Sequence, residues 1–338
     1  MESNKQPTSK LRIQELDLMR GFAIILMIVG HSILVHPIDF STIPWCHALH
    51  RWIYSFHMEL FFFISGAVYY CSNFKTYILK KIDRLLIPML FVGTISILFH
   101  ALGGNYVNNH SPIVKSLINM MVYGDTYWFL YTLFIISLIY PLIEKILPNI
   151  YWEFGLATLI ILFRHIIKFP ILFRINDVTY YLPYFIMGHV LVLWMRKDLN
   201  YWFEICLTIG SITLYGILWK FGPKVPTTSY IMALAMIIPF FFFSRLLIYM
   251  EKNLIRYINN FLRIASRYSL QVYLFNGFIL VFARVLLINI LAITTPYIVI
   301  PLIVIAQFAV TLPLCEYILS RTRWLSWLCG LKAFPLIK

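Results

Sequence analysis

Charge is scarce in this chain. Asp, Glu, Lys and Arg make up 12% of its 338 residues, while apolar residues make up 61%. A soluble domain is about 25% charged and about 45–50% apolar, so these proportions cannot furnish a water-facing surface, and a soluble globular protein is excluded. Cysteine is also rare: Cys46, Cys71, Cys206, Cys315 and Cys329 form an odd set with no CxxC spacing. Neither a disulfide framework nor a zinc site is expected, and no metal is assigned. No Gly-rich phosphate loop occurs, so no ATP step is implied. No nucleic-acid module accompanies the net charge of +14, and the basic groups read instead as cytoplasmic-loop residues meeting anionic headgroups. No signal-peptide cleavage pattern precedes the first apolar run, which is therefore expected to stay as a span. Internal repeats and low-complexity linkers are missing too.

What is present is a series of long apolar runs. Ten candidates fall near residues 13–35, 51–71, 85–103, 126–143, 151–167, 179–195, 202–219, 229–250, 268–291 and 296–319. They run unbroken for about 20 residues without strict alternation, which fits helices and not a β-barrel. The fold class is all-α, a polytopic transmembrane bundle of about ten spans. With the N-terminus inside, 18 Lys and Arg fall on inner connections and 7 on outer ones, while Arg20, Arg245 and Arg284 lie within spans. The bias places both termini in the cytoplasm. The expected organisation is a cytoplasmic tail over 1–12, a membrane domain over 13–320 and a cytoplasmic interfacial tail over 321–338. In that tail Trp324, Trp327 and Leu328 suit a short interfacial helix. The polar break Gly103–Asp125 is expected to be an outer loop, and His36, His47 and His50 to sit in another.

The first span, Leu16 to Ser32, carries Asp17, Arg20 and His31 among apolar neighbours. Eleven residues turn a helix by about 1100°, so Arg20 and His31 share one face about 16 Å apart. A charge near the bilayer centre costs about 2.5–3.5 kcal/mol even on lenient scales. Such a stripe points to a polar cavity. The plain alternative is that Asp17 and Arg20 anchor one interface and His31 the other. Asp17 and Arg20 are also close enough in sequence to pair with each other.

Four motifs in order carry a resemblance. D-x-x-R-G-x-A with a His beyond it (Asp17 to His31) is joined by E-L-F-F-F-I-S-G (Glu59–Gly66), K-x-x-R-L-L-I-P (Lys81–Pro88) and Y-W-F-L-Y-T-L-F (Tyr127–Phe134). Together they resemble the membrane-bound acyltransferase-3 family, integral membrane O-acetyltransferases of surface glycans. A later piece, Tyr268–Asn276, fits as well, but Asn276 stands where family members often have His, so no histidine role carries over there.

The resemblance implies an O-acyltransferase that takes an acyl group, acetyl first and succinyl still open, from cytoplasmic acyl-CoA. The acceptor would be a hydroxyl of a carbohydrate or lipid-linked glycan. No bound cofactor is implied; acetyl-CoA is the donor substrate, and the expected location is a bacterial inner membrane or plasma membrane. His31 is then catalytic, since imidazole can take a proton from an attacking hydroxyl and return it to a leaving thiolate near neutral pH. The plain alternative for His31 is a helix-to-helix hydrogen bond. Glu59, at matching depth, is its expected partner, with a protonated or otherwise paired carboxyl as the alternative. Arg20, Arg84 and Lys81 would hold the donor's phosphates, where a guanidinium fork fits well. Lys80 stands beside them, and Asp17 would orient Arg20. The basic cluster could equally anchor to headgroups. Trp128 is an interfacial belt residue or, more weakly, an acceptor-side platform; His57 reads as packing. Ser65 and Gly66 read as helix packing. A non-enzymatic glycan or lipid exporter is the competing class, disfavoured by the missing repeat. A pH sensor built on His31 has no output domain.

Overall fold

The computed structural model describes residues 13–34, 38–102, 112–147, 149–164, 166–167, 170–195, 200–222 and 226–331. The described elements are all helical. In chain order the α-helices are α1 (Gln14–Ile33), α2 (Pro44–Tyr54), α3 (His57–Ala67), α4 (Phe74–Lys81), α5 (Ile87–Leu102), α6 (Ile113–Tyr123), α7 (Trp128–Ile146) and α8 (Ile150–Phe163). They continue with α9 (Ile175–Met195), α10 (Tyr201–Phe221), α11 (Pro226–Tyr249), α12 (Asn253–Arg267), α13 (Ser269–Arg284), α14 (Pro296–Pro313) and α15 (Arg323–Leu328). A π turn, Ile82–Leu86, joins α4 to α5 without interruption.

Among the described residues, seven helices are long and apolar enough to cross a membrane. The protein is therefore a multi-pass membrane protein. Of the other three expected runs, that at 179–195 lies in α9, and two differ in ways the apolar count could not register. The second run is split: α2 ends at Tyr54 and α3 starts at His57, with Phe56 turned out of the helical region (φ −156°, ψ −15°). Side chains capture carbonyls at the break, Ser55 Oγ donating to Trp52 O at 2.7 Å and His57 Nδ1 to Ile53 O at 2.8 Å. A freed backbone carbonyl in an apolar setting requires such a partner. The fifth run is a helix of 14 residues, about 21 Å long against a bilayer core of about 30 Å.

Two connections expected as loops are helical. Residues Ile113–Tyr123 of the Gly103–Asp125 break form α6, while 103–111 lie outside the described residues. His47 and His50 lie on α2, not in a loop, and His36 is outside the described residues. Of the two expected tails, 1–12 and the last part of 321–338, residues 332–338, are outside them as well, while Arg323–Leu328 of the second forms α15. α12, the expected connection after α11, is strongly amphipathic and packs along α1 with Leu262 and Ala265 buried.

α3 and α9 set the centre of the bundle. A Cβ on Gly66 would lie 1.8 Å from Phe185 O, and one on Gly188 would lie 1.9 Å from Phe63 O. The two glycines thus face each other's helices and let the backbones touch, as small residues do where helices lack a hydrophobic drive to associate. Phe62, Phe63, Tyr184 and Phe185 are fully buried around this crossing. Carboxylates inside the bundle have donors: Tyr140 to Glu153 at 2.5 Å, Tyr69 to Glu144 at 2.6 Å, and Arg245 to Glu204 and to Glu15. An unpaired charge there would be far more costly than these hydrogen-bonded ones.

Candidate functional site

A cavity of about 910 Å³ runs into the bundle between α1, α3, α4, α7 and α13. One end is basic, lined by Arg20, Lys80, Lys81, Arg84 and Arg267. The deep end is apolar and aromatic, lined by Ile24, Met58, Phe61, Phe129 and Tyr273. Arg20, Arg84 and Lys81, each carried by a different motif or element, thus line one cavity. Their elements explain this. Arg20 is on the cavity face of α1, and Arg84 sits in the π turn, exposed, while its neighbour Asp83 is buried. Lys81 lies with its ammonium 5.2 Å from the Tyr77 ring centre. Asp17 is on α1 close enough to Arg263 of α12 to act on it electrostatically.

His31 stands above the deep end. Arg20, Ile24, Met27 and His31 follow 4, 3 and 4 residues apart on the continuous helix α1, one face of a 3.6-residue repeat. Arg20 and Ile24 line the cavity, and His31 is seven residues further, about 10 Å along the axis. Around His31 lies a ring cluster that motif reading did not assemble. Tyr54 meets His31 at 6.2 Å between centroids, stacks on His50 at 4.0 Å and contacts His57 at 4.8 Å. Because a carbonyl can only accept, the bond to Ile53 O places the His57 proton on Nδ1 and leaves Nε2 as the basic nitrogen. His50 and Tyr54 stand at i and i+4 on α2, and the break that follows Tyr54 brings His57, the first residue of α3, against the same ring. His57, expected as packing, is the third ring against Tyr54.

Glu59 is elsewhere. Two residues along a helix rotate by about 200°, so with His57 turned towards the His31 cluster, Glu59 faces α9 and α11. Tyr180 OH donates to Glu59 Oε1 at 3.3 Å, and Oε2 has no hydrogen-bond partner among the described residues. Tyr230 packs on Tyr180 at 4.9 Å and on Tyr184 at 5.2 Å, completing an aromatic wall beside the carboxyl. The structure thus does not bring Glu59, the expected partner, to His31: residues at matching depth on two helices face different neighbours.

Trp128, at the start of α7, is half-buried, tilted against Tyr181 at 5.4 Å and capped by the Arg174 guanidinium at 5.9 Å. Arg174 pairs with Asp125 at 3.3 Å and Asp177 at 2.5 Å. Trp128 is thus part of a polar and aromatic knot, away from the basic mouth. Asn276 is buried on α13, one turn beyond the cavity residue Tyr273.

Seven span-length apolar helices with an internal cavity, basic at one end and lined by aromatics at the other, define a multi-pass membrane protein with a buried site. The model of the acyltransferase domain matches residues 13–318, and the chain belongs to the acyltransferase 3 family. It is by family a membrane acyltransferase. No curated protein and no solved structure matches it.

Proposed function

We propose that this protein is an O-acyltransferase that binds acyl-CoA, acetyl-CoA first, through the basic mouth of the cavity on the cytoplasmic side. The acyl group passes to a hydroxyl of a carbohydrate or lipid-linked glycan at the outer side. The observation that carries this reading is the single stripe of α1 that puts Arg20 and Ile24 on the cavity wall and His31 beyond its deep end. Arg20, Arg84 and the lysines meet the donor's phosphates, and the extended arm carries the thioester inwards past Phe61 and Tyr273. His31 then takes the proton of the acceptor hydroxyl as its oxygen attacks the thioester carbonyl. The C–S bond breaks, and the imidazolium returns the proton to the leaving thiolate. Proton transfer of this kind contributes about 10²–10⁴-fold.

In this reading the ring cluster of Tyr54, His50 and His57 orients His31. Glu59 supports the acceptor-side wall through Tyr180 and does not touch the imidazole. Asp17 orients Arg20 from the helix start, and Trp128 belongs to the acceptor side. The decisive experiment compares the host's surface glycans by mass spectrometry with and without the protein, alongside transfer of labelled acetyl from acetyl-CoA by purified protein in liposomes. A gain of one acyl group per repeat and consumption of the label are expected. Unmodified glycans and unspent donor, with glycan crossing the liposome membrane, would identify an exporter instead.

A further inference from the structure

One wall of the cavity does not come from the long helices. Gly330 and Leu331 line it, and they follow α15, beyond residue 318 where the family match ends. The segment is fastened at several points. Trp327 Nε1 donates to Asp83 Oδ1 at 3.0 Å, and Gln271 Nε2 donates to Cys329 O at 2.8 Å. Leu331 N closes the turn onto Ser326 O at 2.8 Å. Gly330 has φ +71°, and a Cβ there would lie 2.8 Å from Leu270 Cδ2 and 2.9 Å from Pro88 Cγ. The left-handed conformation and the close approach both select glycine.

The fastening falls on the turn that presents Arg84. Asp83 is 4% exposed, and its Oδ2 has no partner among the described residues, so Trp327 gives this buried carboxylate a donor. The turn is a π turn, with Ile87 N bonding Ile82 O. Such turns are uncommon and concentrate at functional sites. A one-residue change of register in a helix rotates everything beyond it by about 100°. Were the wide turn to move along the helix, Lys80 and Lys81 on one side would rotate away from Arg84 on the other. Asp83, held by Trp327, pins the turn in place.

We propose that residues 323–331 form a strap that closes the donor cavity, and that Trp327 and Gly330 are positioning residues that set Arg84 for the donor's phosphates. The proposal rests on the acyl-CoA reading above. Its test is equilibrium binding of radiolabelled CoA to the purified full chain, normalised to folded protein, for wild type, Trp327→Phe, Gly330→Ala and Asp83→Asn. Trp327→Phe keeps an aromatic side chain, though a smaller one, and removes the N–H donor, and Gly330→Ala displaces the strap. Each is expected to weaken CoA binding about tenfold, the scale of one lost hydrogen bond and the disorder that follows. Asp83→Asn keeps an oxygen for Trp327 and should stay within about twofold of wild type. In turnover the loss should appear in the KM for acyl-CoA, with the acceptor KM unmoved, whereas a merely structural strap would lower the folded yield and leave both unchanged. Undiminished CoA binding by folded Trp327→Phe overturns the strap even if Gly330→Ala fails to fold. A wild type that binds no CoA removes the donor reading and the strap with it.

Discussion

Glu59→Gln separates two views of the active centre. If the carboxylate held His31 directly, its loss would resemble removal of the orienting Asp from a Ser-His-Asp unit, where the amide costs about 10⁴-fold in kcat. The structure gives Glu59 a different partner, Tyr180 OH at 3.3 Å. That is long for an O–H···O bond, usually about 2.5–3.0 Å, so its worth lies near the bottom of the net range of about 0.5–1.5 kcal/mol. The amide oxygen of Gln can still accept. A change of about 0.5 kcal/mol, if felt wholly in the transition state, is about two- to threefold in rate. His31→Ala should instead lose about 10²–10⁴-fold. The double variant should fall at the product of the two within about twofold, since sites without shared partners add to about 0.3–0.5 kcal/mol. The assay is single-turnover transfer from labelled acetyl-CoA by purified protein in liposomes, with the folded fraction measured for each variant. A loss above a hundredfold in folded Glu59→Gln would refute the separation of the two residues.

Arg84→Ala should raise the KM for acyl-CoA more than it lowers kcat, the pattern of lost ground-state binding, and Arg84→Lys should rescue only in part because the fork geometry is gone. Gly188→Ala should cost at least the roughly 1–3 kcal/mol of overpacking, because the added Cβ meets backbone, Phe63 O, at 1.9 Å; thermal unfolding in detergent reads the loss, and an unchanged midpoint refutes the backbone contact. At the membrane edge, the Arg263 hydrogen bond holds the Glu251 carboxyl below its ordinary range. Its contribution is therefore present above the usual carboxylate pKa and lost as pH falls through the lowered value, so Arg263→Ala should flatten the acid limb of the unfolding curve. Labelling with an impermeant thiol reagent from outside should modify a cysteine placed at Asn109 and miss one placed at Asp198, the reverse result overturning the charge-bias orientation.

By itself, the sequence determined what depends on local composition and on spacing along one helix. An apolar run long enough to cross a bilayer is costly to place anywhere else, so the membrane class was legible from residue counts. Arg20 and His31 share a face because the helical repeat fixes it, and the ordered motifs around Asp17, Glu59, Lys81 and Tyr127 named the family that residues 13–318 match. The tertiary structure decided which faces meet. The break at Ser55–Phe56 turns α3 so that His57 joins the Tyr54 cluster while Glu59 turns to Tyr180. No periodicity spans such a break, because the rotation across it is set by captured carbonyls and by the packing of α3 on α9 through Gly66 and Gly188. The strap was hidden for a related reason. Trp327 and Asp83 are 244 residues apart, and the bond between them exists only once the helices carrying them are packed side by side.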